Sequence, residues 1–117
     1  MASNRMARVN EELQRELAAL IPTVKDPRVA EAGMLSVTGV DATADLKQAK
    51  VYVSVLDKSR EKDAIKGLKS AAGWLRREVG HRLTLRATPE LFFFADDSMD
   101  KGAHILSILR SLDDKEN

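Results

Sequence analysis

Cysteine is absent from this chain of 117 residues, and other residue types with specialised chemistry are scarce. Without cysteine there is no disulfide, thiolate metal site or thiol nucleophile, a pattern that favours a cytoplasmic protein. The two histidines, His81 and His104, lie far apart and in no metal-ligand pattern, so we expect no metal and no cofactor. Long apolar runs are also missing, and we therefore expect neither a membrane span nor a signal peptide.

Catalytic motifs are missing as well. The sequence has no GxSxG, P-loop or dinucleotide-binding fingerprint, and its six glycines are scattered. Its carboxylate pairs, Glu11-Glu12, Asp96-Asp97 and Asp113-Asp114, are sequence neighbours, which do not face each other on a helix. We therefore expect no catalytic residues and no enzymatic activity.

Charge is distributed unevenly, although the formal net charge is only +1. Residues 58–86 carry nine basic and three acidic side chains, a net +6, and residues 87–117 carry three basic and seven acidic ones, a net −4. A compact basic segment in a nearly neutral protein is typical of a surface that binds a polyanion. A solvated, lysine-rich helix is the alternative interpretation.

The basic segment contains an amphipathic helix with a glycine in its interior. Ile65, Leu68, Ala72, Leu75 and Val79 recur at helical spacing, and the basic residues and Gly73 fall on the neighbouring face. Glycine costs a helix interior about 1 kcal/mol relative to alanine. We interpret Gly73 as a kink that lets a phosphate chain approach the backbone, with amides freed there to bind it. A plain packing or bend glycine is the alternative.

The remaining sequence predicts an α+β order of helix, strand, strand, broken helix, strand and helix. Residues 4–20 have the apolar spacing of a helix, which Pro22 and Pro27 end. Two runs rich in valine and threonine, 34–40 and 51–56, predict an antiparallel hairpin with a long loop over 41–50. Ser59 is a plausible N-cap of the broken helix, and Gly80 suits its C-terminal end.

The apolar run 91–94 predicts a third strand, buried on both faces because it does not alternate with polar residues. Asp96-Asp97-Ser98 would cap a final helix with apolar residues at Ile105, Ile108, Leu109 and Leu112, before a frayed or disordered tail at 113–117. The predicted fold is a single domain over 1–117, with a three-stranded sheet and helices packed on one face.

Several segments in this order and spacing resemble the ribosome-binding factor A family, over about Arg5 to Leu112. The matching segments are Arg5 and Arg8-Val9, Asp26-Pro27-Arg28, the hairpin 45–54, Ala71-Ala72-Gly73, and 85–91 through Asp97-Ser98. The resemblance implies a type II KH-like fold of topology α-β-β-α-kink-α-β plus a C-terminal helix. In it the Ala71-Ala72-Gly73 kink replaces the GxxG loop by which ordinary KH domains clamp a nucleic-acid backbone. Many members extend well past the final helix, which this chain does not.

The resemblance also implies a function. Family members are non-catalytic assembly factors that bind free 30S subunits late in assembly, at 16S ribosomal RNA, and promote maturation of its 5′ end, particularly in the cold. An assembly GTPase is a further candidate partner, and we expect a monomer in the cytoplasm. A protein-binding adaptor that acts through its acidic C-terminal face is the alternative hypothesis.

The resemblance and the charge pattern together predict an RNA-binding site. The predicted contacts are Lys62, Lys66, Lys69, Gly73, Arg76, Arg77, Arg82 and Arg86, with Arg5 and Arg8 as possible additional contacts. We interpret Trp74 as a partly buried packing residue rather than a base-stacking one, and assign Tyr52 and the phenylalanines to the sheet and core. Basic residues without exposed aromatic platforms favour structured, A-form RNA over single strands.

Overall fold

The computed structural model describes residues 2–85 and 87–96 of the chain. The helices and strands in these ranges are α1 (Ala2–Leu20), α2 (Pro27–Ala30), β1 (Leu35–Ala42), β2 (Gln48–Val55), α3 (Glu61–Arg82) and β3 (Glu90–Ala95). The predicted α+β class with a three-stranded sheet is confirmed. The predicted C-terminal helix and tail, and Arg86, lie outside the described residues.

The sheet is mixed, with the strand order β1-β2-β3. β1 and β2 pair antiparallel from Leu35 opposite Val55 to Ala42 opposite Ala49, with an irregularity between Val37 and Gly39. β2 and β3 pair in parallel, which requires a crossover connection between them. α3 provides that crossover and therefore lies beside β3 on the helix-covered face.

The hairpin loop is shorter than the sequence predicts, because the strands extend to Ala42 and from Gln48. Asp45 organises the intervening residues: its carboxylate accepts hydrogen bonds from the Lys47 amide (3.0 Å) and the Thr43 hydroxyl (2.7 Å). Side-chain hydrogen bonds of this kind allow a tight turn between strands. The predicted loop over 41–50 is therefore corrected to 43–47.

The core lies between the sheet and the two long helices. Leu13 and Leu17 of α1 and Leu68 and Leu75 of α3 are fully buried against it. From the sheet, alternate residues of β2 and β3 enter the same core: Ala49, Val51, Val53, Leu91 and Phe93. The apolar stripes predicted for both helices thus face the core, as their spacing requires.

α2 begins at the second of the prolines that end the first predicted helix, and the sequence does not itself predict it. Asp26 caps this short helix, since its side chain accepts a hydrogen bond from the Arg28 amide at 2.9 Å, and Pro27 occupies the first turn. Proline suits that position because its missing amide proton would have no intrahelical partner there.

α3 differs from its prediction at both ends and in the middle. It is one continuous α-helix through Gly73, so the break predicted at Ala71-Ala72-Gly73 is not present in its secondary structure. It begins at Glu61 after a 3-10 turn that Asp57 caps, so Ser59 is not its N-cap. Gly80 lies inside the helix, beside the Thr88 hydroxyl, rather than at its end.

β3 is buried on one face only, which corrects the prediction of a strand buried on both. Leu91 and Phe93 are buried, whereas Phe92 and Phe94 are 37% and 44% exposed. Both faces carry apolar side chains, and within the described residues helices cover only one of them. The outer face of the sheet, opposite the helices, therefore presents aromatic rings to solvent.

Candidate nucleic-acid interface

Six residues of α3, five of them basic, form one continuous exposed surface. Lys62, Lys66, Lys69, Gly73 and Arg76 follow one another at steps of three or four residues, and Arg77 lies four residues after Gly73. Such steps place side chains on one face of a helix. All are exposed, and we call this surface the cationic face.

Gly73 leaves a gap in the middle of the cationic face. A Cβ atom built at this position meets nothing within 4 Å, so packing does not require a glycine there. Because the helix is continuous, its backbone amides are engaged with carbonyls one turn earlier and are not free to bind a ligand. One part of the prediction remains: at Gly73, between Lys69 and Arg76, a phosphate chain has room to approach the helix backbone closely.

A groove of about 620 Å³ separates the cationic face from β3. Lys69, Gly73 and Arg76 line it on the helix side, and residues 90–94 line it on the strand side. β3 is an edge strand, so its outer backbone groups are not paired within the sheet. The Arg76 Nε atom donates to the Thr88 carbonyl at 3.0 Å, which ties the helix to the segment that enters β3.

On its other flank, α3 is joined to α2 by a polar network. The Arg28 guanidinium donates to the Asp26 carboxylate at 2.7 and 3.0 Å and to the Ser70 hydroxyl at 3.1 Å. Hydrogen bonding by Arg28 holds the pKa of Asp26 below its ordinary value. This network anchors the middle of α3 one residue after Lys69, and so helps to hold the cationic face in place.

Arg82, Arg5 and Arg8 do not join the cationic face. Arg82 points to α1, where its guanidinium lies 3.4 Å from the Glu16 carboxylate. Arg5 and Arg8 line a separate cavity with Thr84 and Leu85. The structure thus brings together six of the ten predicted contacts and places these three elsewhere; the tenth, Arg86, is outside the described residues.

The outer face of the sheet carries exposed aromatic residues that the sequence analysis assigned to the sheet and core. Phe92 and Phe94 are exposed, and the ring of Phe94 lies 5.9 Å from that of Tyr52. Alternation of side chains along a strand could have predicted that Phe92 and Phe94 face outwards. Four consecutive apolar residues conceal that alternation in the sequence. Trp74 is 37% exposed and lines a cavity with Val24 and Lys25, away from β3.

Among residues 2–85 and 87–96, no group of three or more His, Asp or Glu side chains is placed to hold a metal ion. His81 lies beside Glu78 on the exposed surface of α3, and His104 is not among the described residues. In the same part of the chain, no helix has the length and apolar character that crossing a membrane requires.

The chain matches the protein family described as ribosome-binding factor A over residues 5–109. Ribosome-binding factor A of Clostridium tetani is 45% identical over an alignment of 119 positions, which covers 100% of this chain and 97% of the relative. The protein of that name from Acetivibrio thermocellus is 46% identical over 107 positions, covering 90% and 85%.

Solved structures show the same similarity. The crystal structure of ribosome-binding factor A from Thermus thermophilus matches with a TM-score of 0.68 at 29% identity, over 77% of this chain and 93% of that one. A homology model of the Thermus thermophilus protein, fitted into a cryo-EM map of a 30S complex, matches with a TM-score of 0.61 at 29% identity, over 73% and 88%. The sequence match extends along the whole chain and the structural matches over 73% to 77% of it, and the chain belongs to the ribosome-binding factor A family.

Proposed function

We propose that this protein binds the free small ribosomal subunit late in assembly, through the cationic face of α3, and promotes maturation of the 5′ end of 16S rRNA without cleaving RNA itself. The observation that carries the proposal is the row of five basic side chains on one exposed helix face. Within the described residues none of the five forms an ion pair with a carboxylate. Their charge is therefore available to a polyanion.

The physical basis is the neutralisation of phosphates. Each phosphate that a lysine or arginine neutralises releases condensed counterions, which favours binding at low salt. Gly73 lies between Lys69 and Arg76 without a side chain, so a phosphate chain can approach the helix closely at that point. The groove beside β3 offers room for the nucleotides attached to it.

The comparison with known proteins supports the choice of partner. The Thermus thermophilus relative has been fitted into a map of a 30S complex. We further propose a cytoplasmic, monomeric factor with an assembly GTPase as a candidate second partner, and the family resemblance supports a role that matters most in the cold.

Co-sedimentation with isolated small subunits, large subunits and joined ribosomes tests the proposal. The informative variant replaces Lys62, Lys66 and Lys69 together by Glu, because Arg76 also hydrogen-bonds Thr88 and its loss would disturb the fold. We expect selective binding of the wild type to small subunits and loss of that binding in the variant. Cells that carry only the variant should accumulate 16S rRNA with an unprocessed 5′ end in the cold.

A matched control reverses three exposed basic residues outside the cationic face, Arg15, Lys25 and Lys47, with the same change in net charge. Binding that survives the α3 reversals, or that is lost equally in the control, would contradict the proposed surface. Association with an assembly protein that persists after RNA is digested would instead support the adaptor hypothesis, whose acidic segment 87–117 lies mostly outside the described residues.

A further inference from the structure

The outer face of the sheet combines exposed rings with a basic side chain in adjacent register positions. Lys50 of β2 lies beside Phe92 of β3, and Tyr52 lies beside Phe94. Since alternate strand residues share a face, these four side chains point away from the helices. Phe92 and Phe94 are the more exposed members of the aromatic group, and Tyr52 is half-buried.

Two of the rings pack against each other. The centroids of Tyr52 and Phe94 are 5.9 Å apart with an interplanar angle of 32°, within the range of favourable aromatic pairs. Phe92 is two residues earlier on the same strand, so its Cα atom is about 7 Å from that of Phe94. The strand therefore presents two neighbouring rings on the same face.

Phe92 and Phe94 also lie between two openings in the surface. On one side they line the groove that Lys69 and Arg76 bound on α3. On the other side they line a cavity of about 490 Å³ that also contacts Lys50, Gln48 and Asp41. Basic side chains thus lie on both sides of the rings, with the carboxylates of Glu90 and Asp41 also at the edges.

Aromatic rings flanked by basic side chains match single-stranded nucleic acid. Every base has a π-face that stacks on an aromatic side chain, whereas a duplex hides those faces between its own base pairs. An apolar peptide would use the rings but would leave Lys69 and Arg76 without an anionic partner. The exposed rings therefore alter the expectation from sequence, which favours structured, A-form RNA over single strands because it finds no exposed aromatic platform.

We propose that the outer face of the sheet binds a single-stranded RNA segment, with bases stacked on Phe92 and Phe94. Its phosphates reach Lys69 and Arg76 around the edge of β3, and Lys50 on the sheet itself. This inference rests on the proposed function, since it names the form of RNA that continues from the cationic face. The outer face of the sheet would contact bases, whereas the cationic face contacts only phosphates.

Fluorescence anisotropy with the full-length protein tests the inference. The probes are a fluorescein-labelled single-stranded RNA of about 12 nucleotides and a labelled RNA hairpin with a fully paired stem. Replacing Phe92 and Phe94 together by Ala should weaken binding of the single strand by about 5- to 150-fold per stacked base and leave binding of the hairpin stem unchanged. Trp74→Ala is the matched control, and it should leave both affinities unchanged.

A second measurement detects stacking directly and does not depend on a loss of binding. The chain has one tryptophan, so Phe94→Trp in a Trp74→Phe background places a single indole on the outer face. We expect acrylamide to quench its fluorescence in the free protein and single-stranded RNA to quench it on binding. An indole that acrylamide cannot reach would mean that the chain itself covers this face, which would overturn the proposal.

Other outcomes separate this inference from the proposed function. If the Phe92 and Phe94 variant binds the single strand as tightly as the wild type, or loses the single strand and the stem equally, stacking is refuted. Loss of small-subunit binding in the Lys62, Lys66 and Lys69 variant would still support the proposed function in that case. If Trp74→Ala alone weakens binding of the single strand, the stacking surface is on the other flank of α3.

Discussion

At the scale of single residues, two glycines of α3 have opposite structural roles. A Cβ atom at Gly67 would lie 2.7 Å from the Val29 Cγ2 atom and 3.1 Å from the Arg28 Cβ atom, whereas one at Gly73 meets nothing within 4 Å. Gly67 therefore permits the close packing of α2 on α3. Packing does not require a glycine at position 73, in the middle of the basic series, and this favours a role for Gly73 in binding.

We expect Gly67→Ala to lower the free energy of unfolding by about 1–3 kcal/mol, because the packed α2 must move away. Gly73→Ala should raise it by up to about 1 kcal/mol, since alanine is the better helix former and has room. Urea unfolding followed by circular dichroism measures both changes. The more stable Gly73→Ala protein should also bind small subunits less tightly; unchanged affinity would show that the backbone is not closely approached there.

At the scale of elements, three aspartates organise the ends of helices and strands in the same way. Each carboxylate accepts a hydrogen bond from the backbone amide two residues later: Asp26 from Arg28, Asp45 from Lys47 and Asp57 from Ser59. These bonds favour the charged form. Side-chain hydrogen bonds, from Arg28, Thr43 and Ser59 respectively, are the largest cause that holds the pKa of each aspartate below its ordinary value.

The lowered pKa values predict the response of stability to acid. A carboxyl group whose pKa is lower in the folded state than in the unfolded state stabilises the fold above the unfolded value of about 3.9, and that contribution is lost as the pH falls through the folded value. The free energy of unfolding should therefore decrease between roughly pH 5 and pH 2. Urea unfolding over this range should show a smaller decrease in a variant with Asn at positions 26, 45 and 57.

The control for the acid experiment is Glu31→Gln, which removes an exposed carboxylate that accepts no hydrogen bond from the described residues. The free energy of unfolding of this variant should fall with decreasing pH in parallel with that of the wild type. A triple Asn variant with the wild-type acid profile would show that other groups dominate acid unfolding.

At the scale of the whole molecule, a group of basic side chains is clustered on one surface of the described residues. Five of the nine basic residues of 58–86 lie on the side of α3 that faces away from the core, because the core side of that helix is apolar. Among the lysines and arginines of α3 itself, Arg82 is the exception, since Glu16 of α1 lies beside it. Binding to RNA should therefore depend on the basic residues of the cationic face and not on Arg82.

We expect the affinity for small subunits to fall linearly with salt concentration on a logarithmic plot. Lys62→Ala or Lys66→Ala should each reduce the magnitude of that slope by about 1, because each removes one phosphate contact. Arg82→Ala is the matched control and should leave the slope unchanged. Equal slopes in all variants would mean that the lysines of α3 do not contact phosphate.

The sequence by itself determined the class of fold, the order of the two long helices and the three strands, and the helix that carries the basic residues. Those features depend on local periodicity: apolar residues at helical spacing in α1 and α3, and valine-rich runs in β1 and β2. The same spacing predicts that Lys62, Lys66, Lys69 and Arg76 share one face of α3. Short-range patterns are sufficient here because neighbours on a helix face are separated by only three or four residues.

Only the tertiary structure decided which of the other basic residues join that face and which phenylalanines meet solvent. Arg82 is directed to α1 by Glu16, 66 residues away in sequence, and no local pattern reports such a contact. Phe92 and Phe93 look alike in sequence, but pairing of β3 with β2 at the sheet edge turns one outwards and the other into the core. Tertiary packing also decided that α3 continues through Gly73. Packing of the apolar side of the helix on the sheet outweighs the small penalty of one glycine in the helix interior.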